Sequence, residues 1–131
     1  MSLILDYQSD INLKISDLVR LDLIEALELR SLSHRTCDKL SDGELQRVVI
    51  GITLSKKYDV LVLDEPCTFL DINQRMAIYR LIRDSPIPYK IVIEHDFTSL
   101  DYMADKVCLS YVVAGAFGNM TLPMTTADFV G

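Results

Sequence analysis

The sequence predicts an α/β fold in which helices flank a parallel sheet. Two short runs, Val60–Leu63 and Ile91–Ile93, are entirely apolar, which is typical of strands covered by helices on both faces. Segments with helical periodicity alternate with these runs, and that order predicts right-handed crossovers between parallel strands. The 131 residues correspond to one domain, and 50% apolar with 24% charged residues is ordinary for a globular chain.

The first half of the chain is predicted to be helical. Ser16–Leu29 carries an apolar residue at every third position, which predicts a helix, and the polar stretch Ser31–Lys39 predicts a connection. A second helix is predicted from Ser41 to about Lys57, with Ser41 and Glu44 forming a capping box. The expected buried positions of this helix are Leu45, Val48, Val49, Ile52 and Leu54.

The second half is predicted to alternate between strands and helices. Strands are expected at Tyr58–Leu63 and Lys90–Ile93, and the helix between them begins after the N-cap Asp71 and ends near Arg83. A short helix, a third strand and a turn towards a final strand or loop are predicted, in that order, at Phe97–Asp105, Val107–Val113 and Gly115–Gly118.

Charge and cysteine content disfavour several classes of protein. Thirteen basic against nineteen acidic residues give a net charge of −6, which disfavours a free-standing nucleic-acid binder. The three cysteines, Cys37, Cys67 and Cys108, form no Cys-x-x-Cys pair, so we expect no disulfide scaffold, zinc site or iron–sulfur cluster. Residues 107–126 contain too many polar and turn residues for a membrane span. These features predict a reducing, cytoplasmic location away from membranes.

Two predicted strands end in polar clusters, and ligands of such sheets bind at the carboxyl ends of the strands. The clusters are Asp64-Glu65-Pro66 and Glu94-His95-Asp96. A carboxylate such as Asp64 suits magnesium held on phosphates, because hard cations prefer oxygen ligands. Glu65 could orient a water for attack on a phosphoryl group, and His95 could contact the γ-phosphate. Acidic residues after a strand also commonly cap the next helix, and this simpler role stays open.

The segment Leu40–Glu44 also has two interpretations. A capping box fully explains the start of the helix. A helix N-terminus with free amides is also a binding site for an anion. The order of the elements favours the functional interpretation: Leu40–Glu44 is followed by a strand ending in Asp64-Glu65, then by Phe69-Leu70-Asp71 and by Glu94-His95-Asp96.

This order resembles the second half of an ABC-type ATPase cassette, a partial P-loop NTPase fold with a helical signature region. The resemblance implies that Glu65 is the catalytic glutamate and His95 the switch histidine. Asp64 would bind magnesium, and the nucleotide bound by a second cassette would be contacted by Ser41, Gly43, Glu44 and Asp71. The motif segments are the signature, Walker B strand and end of the D-loop, at Leu40–Glu44, Val60–Asp64 and Phe69–Asp71.

Within that family, the sequence resembles the ribosome-recycling RNase L inhibitor branch from about Leu40 to Leu109. The segments that carry this resemblance are Gly43–Arg47, Asp64–Pro66, Leu70-Asp71, Gln74-Arg75, Glu94–Asp96, Leu100–Asp105 and Thr121–Met124. The resemblance implies a soluble ATPase that uses ATP and Mg²⁺ and works with the ribosome or translation factors. It also implies two cassettes that close head-to-tail over two ATP molecules, and iron–sulfur clusters outside this chain.

Two departures bear on activity. No Gly-x-x-x-x-Gly-Lys-Ser/Thr occurs, since the first glycine is Gly43, so the phosphate-binding loop is missing and we expect the isolated chain to be inactive. Asp42 stands where the family has glycine, and its carboxylate would repel a γ-phosphate if it pointed there. Gln8 is a candidate for the Q-loop region. We expect one partial cassette over residues 1–131, with a helical region at 16–57, a core at 58–113 and a tail at 114–131.

Two other functions remain open. The chain could be a non-catalytic interaction or regulatory module, or the nucleotide-binding subunit of an ABC transporter. Three side chains near the motifs have simpler interpretations: Cys67 is expected in packing, and Gln74 and Arg75 on an exposed helix surface. Family-specific contacts are the alternative for Gln74 and Arg75.

Overall fold

The structure, a computed structural model, describes residues 14–33, 35, 37–113, 115 and 117–130. These residues form two compact units, of which the first ends at Ile93 and the second begins at Glu94. The helices are α1 Ile15–Leu18, α2 Leu21–Ala26, α3 Asp42–Ser55, α4 Ile72–Asp84, α5 Phe97–Met103 and α6 Thr126–Val130, with 3-10 turns at Arg30–Leu32 and Cys37–Lys39. The strands are β1 Val60–Asp64, β2 Tyr89–Ile93, β3 Lys106–Val107, β4 Ser110–Val113, β5 Phe117–Met120 and β6 Met124–Thr125.

The first unit contains the predicted parallel pair of strands. β1 and β2 pair in parallel, with Val60 opposite Tyr89 and Asp64 opposite Ile93, and α4 connects them. Because the two strands run in the same direction, their carboxyl ends lie at the same edge of the sheet. The predicted β1–α4–β2 arrangement is therefore confirmed, and α3 and α4 begin and end within two residues of their predicted bounds.

The prediction that both faces of this sheet are covered is wrong for the described residues. Leu61 is 4% exposed on one face, whereas Val62 on the other face is 59% exposed. Val60, Tyr89 and Ile91 are also exposed. An entirely apolar strand places apolar side chains on both faces, because side chains alternate along it. Only one of those faces is covered by the part of the chain that the structure describes.

The predicted helix Ser16–Leu29 is two short helices, so this prediction is wrong in the middle of the segment. α1 and α2 are separated by Val19 and Arg20, both in extended conformation. The Arg20 N–H donates to the Ser55 hydroxyl oxygen at 2.9 Å, at the end of α3. The Arg20 N–H therefore donates to a distant side chain, whereas in a continuous helix it would donate to a carbonyl oxygen of the same helix. The chain then passes through Glu28 at a φ of 55°.

The burial pattern of α3 differs in part from the prediction. Val48 and Leu54 are buried as expected. Ile50 and Gly51 are buried as well, whereas Leu45, Val49 and Ile52 are only half-buried. The difference arises because α3 packs against both α1 and α2, so the face it buries follows the break between those helices.

In the second unit, the predicted third parallel strand is also wrong. Residues 107–113 contribute to two strands that pair antiparallel, β3 with β6 and β4 with β5. The Phe97 and Phe129 rings of α5 and α6 lie 5.5 Å apart and help to pack this unit. An apolar strand pattern does not specify whether the partner runs parallel or antiparallel. None of the helices in the described part of the chain has both the length and the apolar character of a membrane span.

Candidate functional site

The amino-terminal end of α3 has the predicted capping box. The Glu44 N–H donates to the Ser41 hydroxyl oxygen at 3.3 Å, and the Ser41 N–H donates to the Glu44 carboxylate at 2.9 Å. Both residues fulfil the structural role expected of them, since each satisfies a backbone donor that a helix start leaves unpaired.

The capping box leaves donors available at this helix end. Within the described ranges, the amides of Asp42 and Gly43 have no hydrogen-bond partner. The Ser41 hydroxyl accepts a hydrogen bond and can still donate its own proton. Ser41 and Asp42 are both exposed. The helix end therefore combines two amides, a hydroxyl and the positive end of the helix dipole, which together suit an anion.

The carboxyl end of β1 presents the predicted acidic pair. Asp64 is the last residue of the strand and is exposed. Glu65 follows at a φ of 44°, a left-handed conformation that few residues other than glycine adopt. Its N–H still donates to the Ile93 carbonyl oxygen at 2.9 Å, at the end of β2. The chain thus turns sharply at Glu65, and backbone conformation of this kind is common at functional sites.

A threonine that sequence reasoning missed holds the Glu65 side chain. The Thr68 hydroxyl is 3.0 Å from the Glu65 carbonyl oxygen and 3.2 Å from a carboxylate oxygen of Glu65. The hydroxyl can donate to either acceptor, so it favours one orientation of the Glu65 carboxylate.

The turn after Glu65 lies against the first two turns of α3. The Gln46 side-chain amide donates to the Pro66 carbonyl oxygen at 2.7 Å. A Cβ added to Gly43 would stand 3.0 Å from the Phe69 carbonyl oxygen, so a larger residue would require the turn to move by a few tenths of an ångström. The structure thus brings the predicted anion-binding helix end and the segment 65–70 together within one unit. Sequence reasoning missed Gln46, because its partners are backbone carbonyl oxygens about 20 residues away.

Among the residues expected to play structural roles, the predictions for Cys67 and Asp71 are confirmed, whereas Arg75 and Gln74 are less exposed than predicted. Cys67 is 2% exposed and packs in the core, as predicted. Arg75 was expected on an exposed surface, but it is half-buried and its Nε donates to the Leu70 carbonyl oxygen at 2.9 Å. Gln74 is likewise half-buried. Asp71 caps α4, as predicted, by accepting a hydrogen bond from the Gln74 N–H at 3.0 Å.

The predicted histidine cluster begins the second unit. His95 is exposed, and Glu94 lies outside β2, one residue past its end. Asp96 is the N-cap of α5 and accepts hydrogen bonds from the Thr98 N–H at 3.0 Å and the Ser99 hydroxyl at 2.9 Å. Asp96 therefore has the helix-capping role that was left open. Gln8 lies outside the described residues.

A single carboxylate, Asp64, is the metal ligand that the sequence predicts. Within the described ranges, no group of three or more His, Cys, Asp and Glu side chains could hold a metal ion. Magnesium on a nucleotide needs only one or two protein carboxylates, because phosphate oxygens and water complete its six ligands. The exposed Asp64 fits this limited role and does not fit an all-protein metal site.

The stability of the α3 cap should depend on pH through Glu44. The Ser41 N–H lowers the pKa of the Glu44 carboxyl below its ordinary value, and Arg35, 3.4 Å away, acts in the same direction. Ionised Glu44 therefore stabilises the fold above its unfolded pKa of about 4.3, and this contribution is lost as pH falls through the lower folded pKa. We expect Glu44→Gln to lower the urea midpoint of unfolding at pH 7. The difference in midpoint between this variant and the unchanged chain should disappear below about pH 4.3. A difference in urea midpoint at pH 3 as large as that at pH 7 would contradict a role for the Glu44 charge.

Comparison with known proteins places the chain in a family. A family model described as ABC transporter matches residues 10–68. A relative named Translation initiation factor RLI1, from Chaetomium thermophilum, is 44% identical over 109 residues, which are 82% of this chain and 18% of that protein. The chain thus spans about a fifth of the length of the curated relatives it matches.

Solved structures of similar fold lead to the same family as that relative. A model titled ribosome-bound archaeal Pelota and ABCE1 has a TM-score of 0.80 at 29% identity, covering 98% of this chain and 23% of that chain. A structure titled RNase-L Inhibitor has a TM-score of 0.74 at 33% identity, covering 92% of this chain and 24% of that chain. On these likenesses in sequence and fold, the chain belongs to the ABC-type ATPase family, as part of a cassette of its RNase L inhibitor branch.

Proposed function

We propose that residues 1–131 form one partial cassette of a cytoplasmic ABC-type ATPase that binds and hydrolyses ATP during ribosome recycling. The observation that carries the proposal is the contact between the α3 end and the turn after β1. This contact brings together, within one unit of the fold, the hydrogen-bond donors that suit an anion and the carboxylate that follows a parallel strand. Phosphoryl transfer needs such groups for positioning and electrostatic stabilisation.

The α3 end would serve a nucleotide held by a second cassette. Ser41 would donate its hydroxyl proton to the γ-phosphate, and the amides of Asp42 and Gly43 would donate beside it. Glu44 would hold the Ser41 backbone in place, as it does in the capping box. Asp71, exposed at the start of α4, would face the same junction between cassettes. ATP would then act as the contact that closes two cassettes head-to-tail.

The β1 end would serve the nucleotide of its own cassette. Mg²⁺, when bound to ATP, neutralises the charge on the phosphate oxygens, and Asp64 would be one of its ligands. Glu65 would accept a proton from the attacking water, with Thr68 orienting its carboxylate. His95 would contact the γ-phosphate, the role that the resemblance to the family implies for it. The phosphate-binding loop must come from outside this sequence, which contains no such motif.

The partners of the chain follow from the same proposal. The amino-terminal half of the cassette and a second cassette would complete the two nucleotide sites. The ribosome and translation factors would be the larger partners, since the relatives and neighbours carry those names. The net charge of −6 argues that this segment is not itself a main nucleic-acid contact.

A chimera tests the proposal. In this chimera, the chain replaces the 109 aligned residues of the Chaetomium thermophilum relative. We expect the chimera to hydrolyse ATP, and the isolated chain to show no turnover above background. A chimera that folds and binds ATP but shows no turnover would contradict the proposed activity.

A non-catalytic module is the second candidate function, and Asp42, which stands where the family has glycine, is the observation that favours it. The isolated chain would then keep its fold and act only through its surface. This alternative predicts that ribosome binding by the chimera does not depend on ATP. The first proposal predicts that binding changes when ATP is hydrolysed.

Asp42 provides a further prediction. Its carboxylate is exposed at the first residue of α3, where an acidic side chain favours the helix by roughly 0.3–1 kcal/mol. If it points to solvent, Asp42→Gly in the chimera should change ATP-dependent closure by less than about threefold, because water and salt screen the charge of such a carboxylate from the phosphate. Closure can be followed by a distance probe between the cassettes. A gain of about tenfold or more would place the carboxylate beside the phosphate, because tenfold corresponds to about 1.4 kcal/mol of relieved repulsion.

A further inference from the structure

Gln46 joins the two functional segments of the first unit. It lies on α3 one turn after Gly43, and its half-buried side-chain amide reaches across to the turn after β1. Its Nε2 is 2.7 Å from the Pro66 carbonyl oxygen and 3.5 Å from the Glu65 carbonyl oxygen. The two acceptors are the carbonyl oxygens of consecutive peptide groups, so the amide contacts the backbone at Glu65, the residue in the left-handed conformation, and just after it.

Two other contacts hold the same turn from different sides. The Phe69 carbonyl oxygen approaches Gly43 so closely that a Cβ there would stand 3.0 Å away. Arg75 on α4 donates from its Nε to the Leu70 carbonyl oxygen at 2.9 Å. Leu70 itself is buried. Segment 65–70 is therefore held between α3 and α4, and among these contacts from the two helices Gln46 lies nearest to Glu65.

A left-handed conformation at a residue other than glycine costs of order 1–3 kcal/mol and persists only when its surroundings hold it. Inside a half-buried contact, a carbonyl oxygen that loses its donor is also costly. Removing the Gln46 donor should therefore allow the turn to relax, and Glu65 would move with it. Because catalysis depends on placement, a shift of about 1 Å can reduce a rate by about 10²-fold.

We propose that Gln46 is a positioning residue, which holds Glu65 in its strained turn and ties it to the helix end formed by Ser41 and Gly43. The positioning role in turnover rests on the proposed function. In that setting, α3 contacts the nucleotide of one site while Glu65 acts at the other. Gln46 would then be a direct mechanical link between the two sites within a single cassette.

The chimera tests this role through a comparison of variants. Gln46→Met removes the donor at similar length, and Gln46→Glu replaces it with an acceptor of the same shape. Both should lower kcat by roughly 10- to 100-fold with KM for ATP changed less than about twofold. Gln46→Lys restores an N–H donor and should recover most of kcat. The matched control is Gln74→Met, on the half-buried face of α4, which should leave kcat unchanged.

Hydrogen exchange of the isolated chain provides a measurement that does not depend on turnover. The Thr68 and Leu70 amides donate within the turn, at 3.4 Å and 3.2 Å. In Gln46→Met they should exchange at least about tenfold faster, the effect of about 1.4 kcal/mol of lost local stability. The core amide of Ile82 should not change. Equal acceleration at Ile82 would mean general destabilisation and would overturn the positioning role.

The two measurements separate the possible failures. If the chimera hydrolyses no ATP, the proposed function fails, and the exchange result alone decides whether Gln46 holds the turn. If the chimera turns over ATP and Glu65→Gln abolishes it, but Gln46→Met keeps kcat within about twofold, then Gln46 does not position Glu65. Unchanged exchange at Thr68 and Leu70 would also overturn the proposal.

Discussion

Glu65→Gln in the chimera should reduce ATP turnover by roughly 10²-fold or more, the upper part of what a general base usually contributes. The amide keeps the size and hydrogen-bonding shape of the carboxylate, including an oxygen for the Thr68 hydroxyl. It cannot accept a proton at neutral pH. Binding should therefore persist while hydrolysis stops, and radiolabelled ATP should remain on the protein after rapid separation from free nucleotide.

The control for this prediction is Glu25→Gln, the same chemical change at an exposed residue of α2. Glu25 pairs with Arg30 on the surface, and such pairs have little effect on stability. We expect the Glu25→Gln chimera to match the unchanged chimera in turnover and ATP retention. Turnover that persists in Glu65→Gln would assign the general base to another residue.

Ile78→Ala should destabilise the isolated chain by about 2–5 kcal/mol, because it removes a fully buried side chain and leaves a cavity. Ile78 is 0% exposed on α4, the helix that connects β1 to β2. A loss of this size is a large part of the stability of a small domain, which is about 5–15 kcal/mol. Urea unfolding followed by circular dichroism should show a lower midpoint with an unchanged slope.

Ile72→Ala is the matched control on the same helix, since Ile72 is 64% exposed. Its effect on the free energy of unfolding should stay within about 0.5 kcal/mol, as for most surface substitutions. If the two variants unfolded at the same urea concentration, the face of α4 that buries Ile78, Tyr79 and Ile82 would not contribute to the stability of the fold.

The predictions from sequence that succeeded rest on local chemistry. Ser41 and Glu44 are three residues apart, so their reciprocal cap follows from helix geometry alone. Asp71 caps α4 for the same reason. The apolar runs of β1 and β2, separated by one helix, indicate a parallel pair. The helix carries the chain back to the edge of the sheet where β1 begins, so β2 runs in the same direction as β1.

The predictions that failed concern interactions between distant segments. Ser16–Leu29 has good helical periodicity, yet the Ser55 hydroxyl, 35 positions after Arg20, takes the amide at the break. The strand predicted at Val107–Val113 has the right residues, but its strands pair antiparallel with segments that follow. Neither partner can be read from the local pattern.

The sequence by itself determined the order of the elements, the helix caps and the identities of the acidic residues that end β1. These features depend on residues within one turn of helix or one strand, where spacing decides the geometry. Only the tertiary structure decided that the turn after Glu65 lies against α3, that Gln46 donates to its carbonyl oxygens, and that Gly43 admits the Phe69 carbonyl. Those contacts are made to backbone atoms, which every residue carries, so no side-chain pattern in the sequence specifies them.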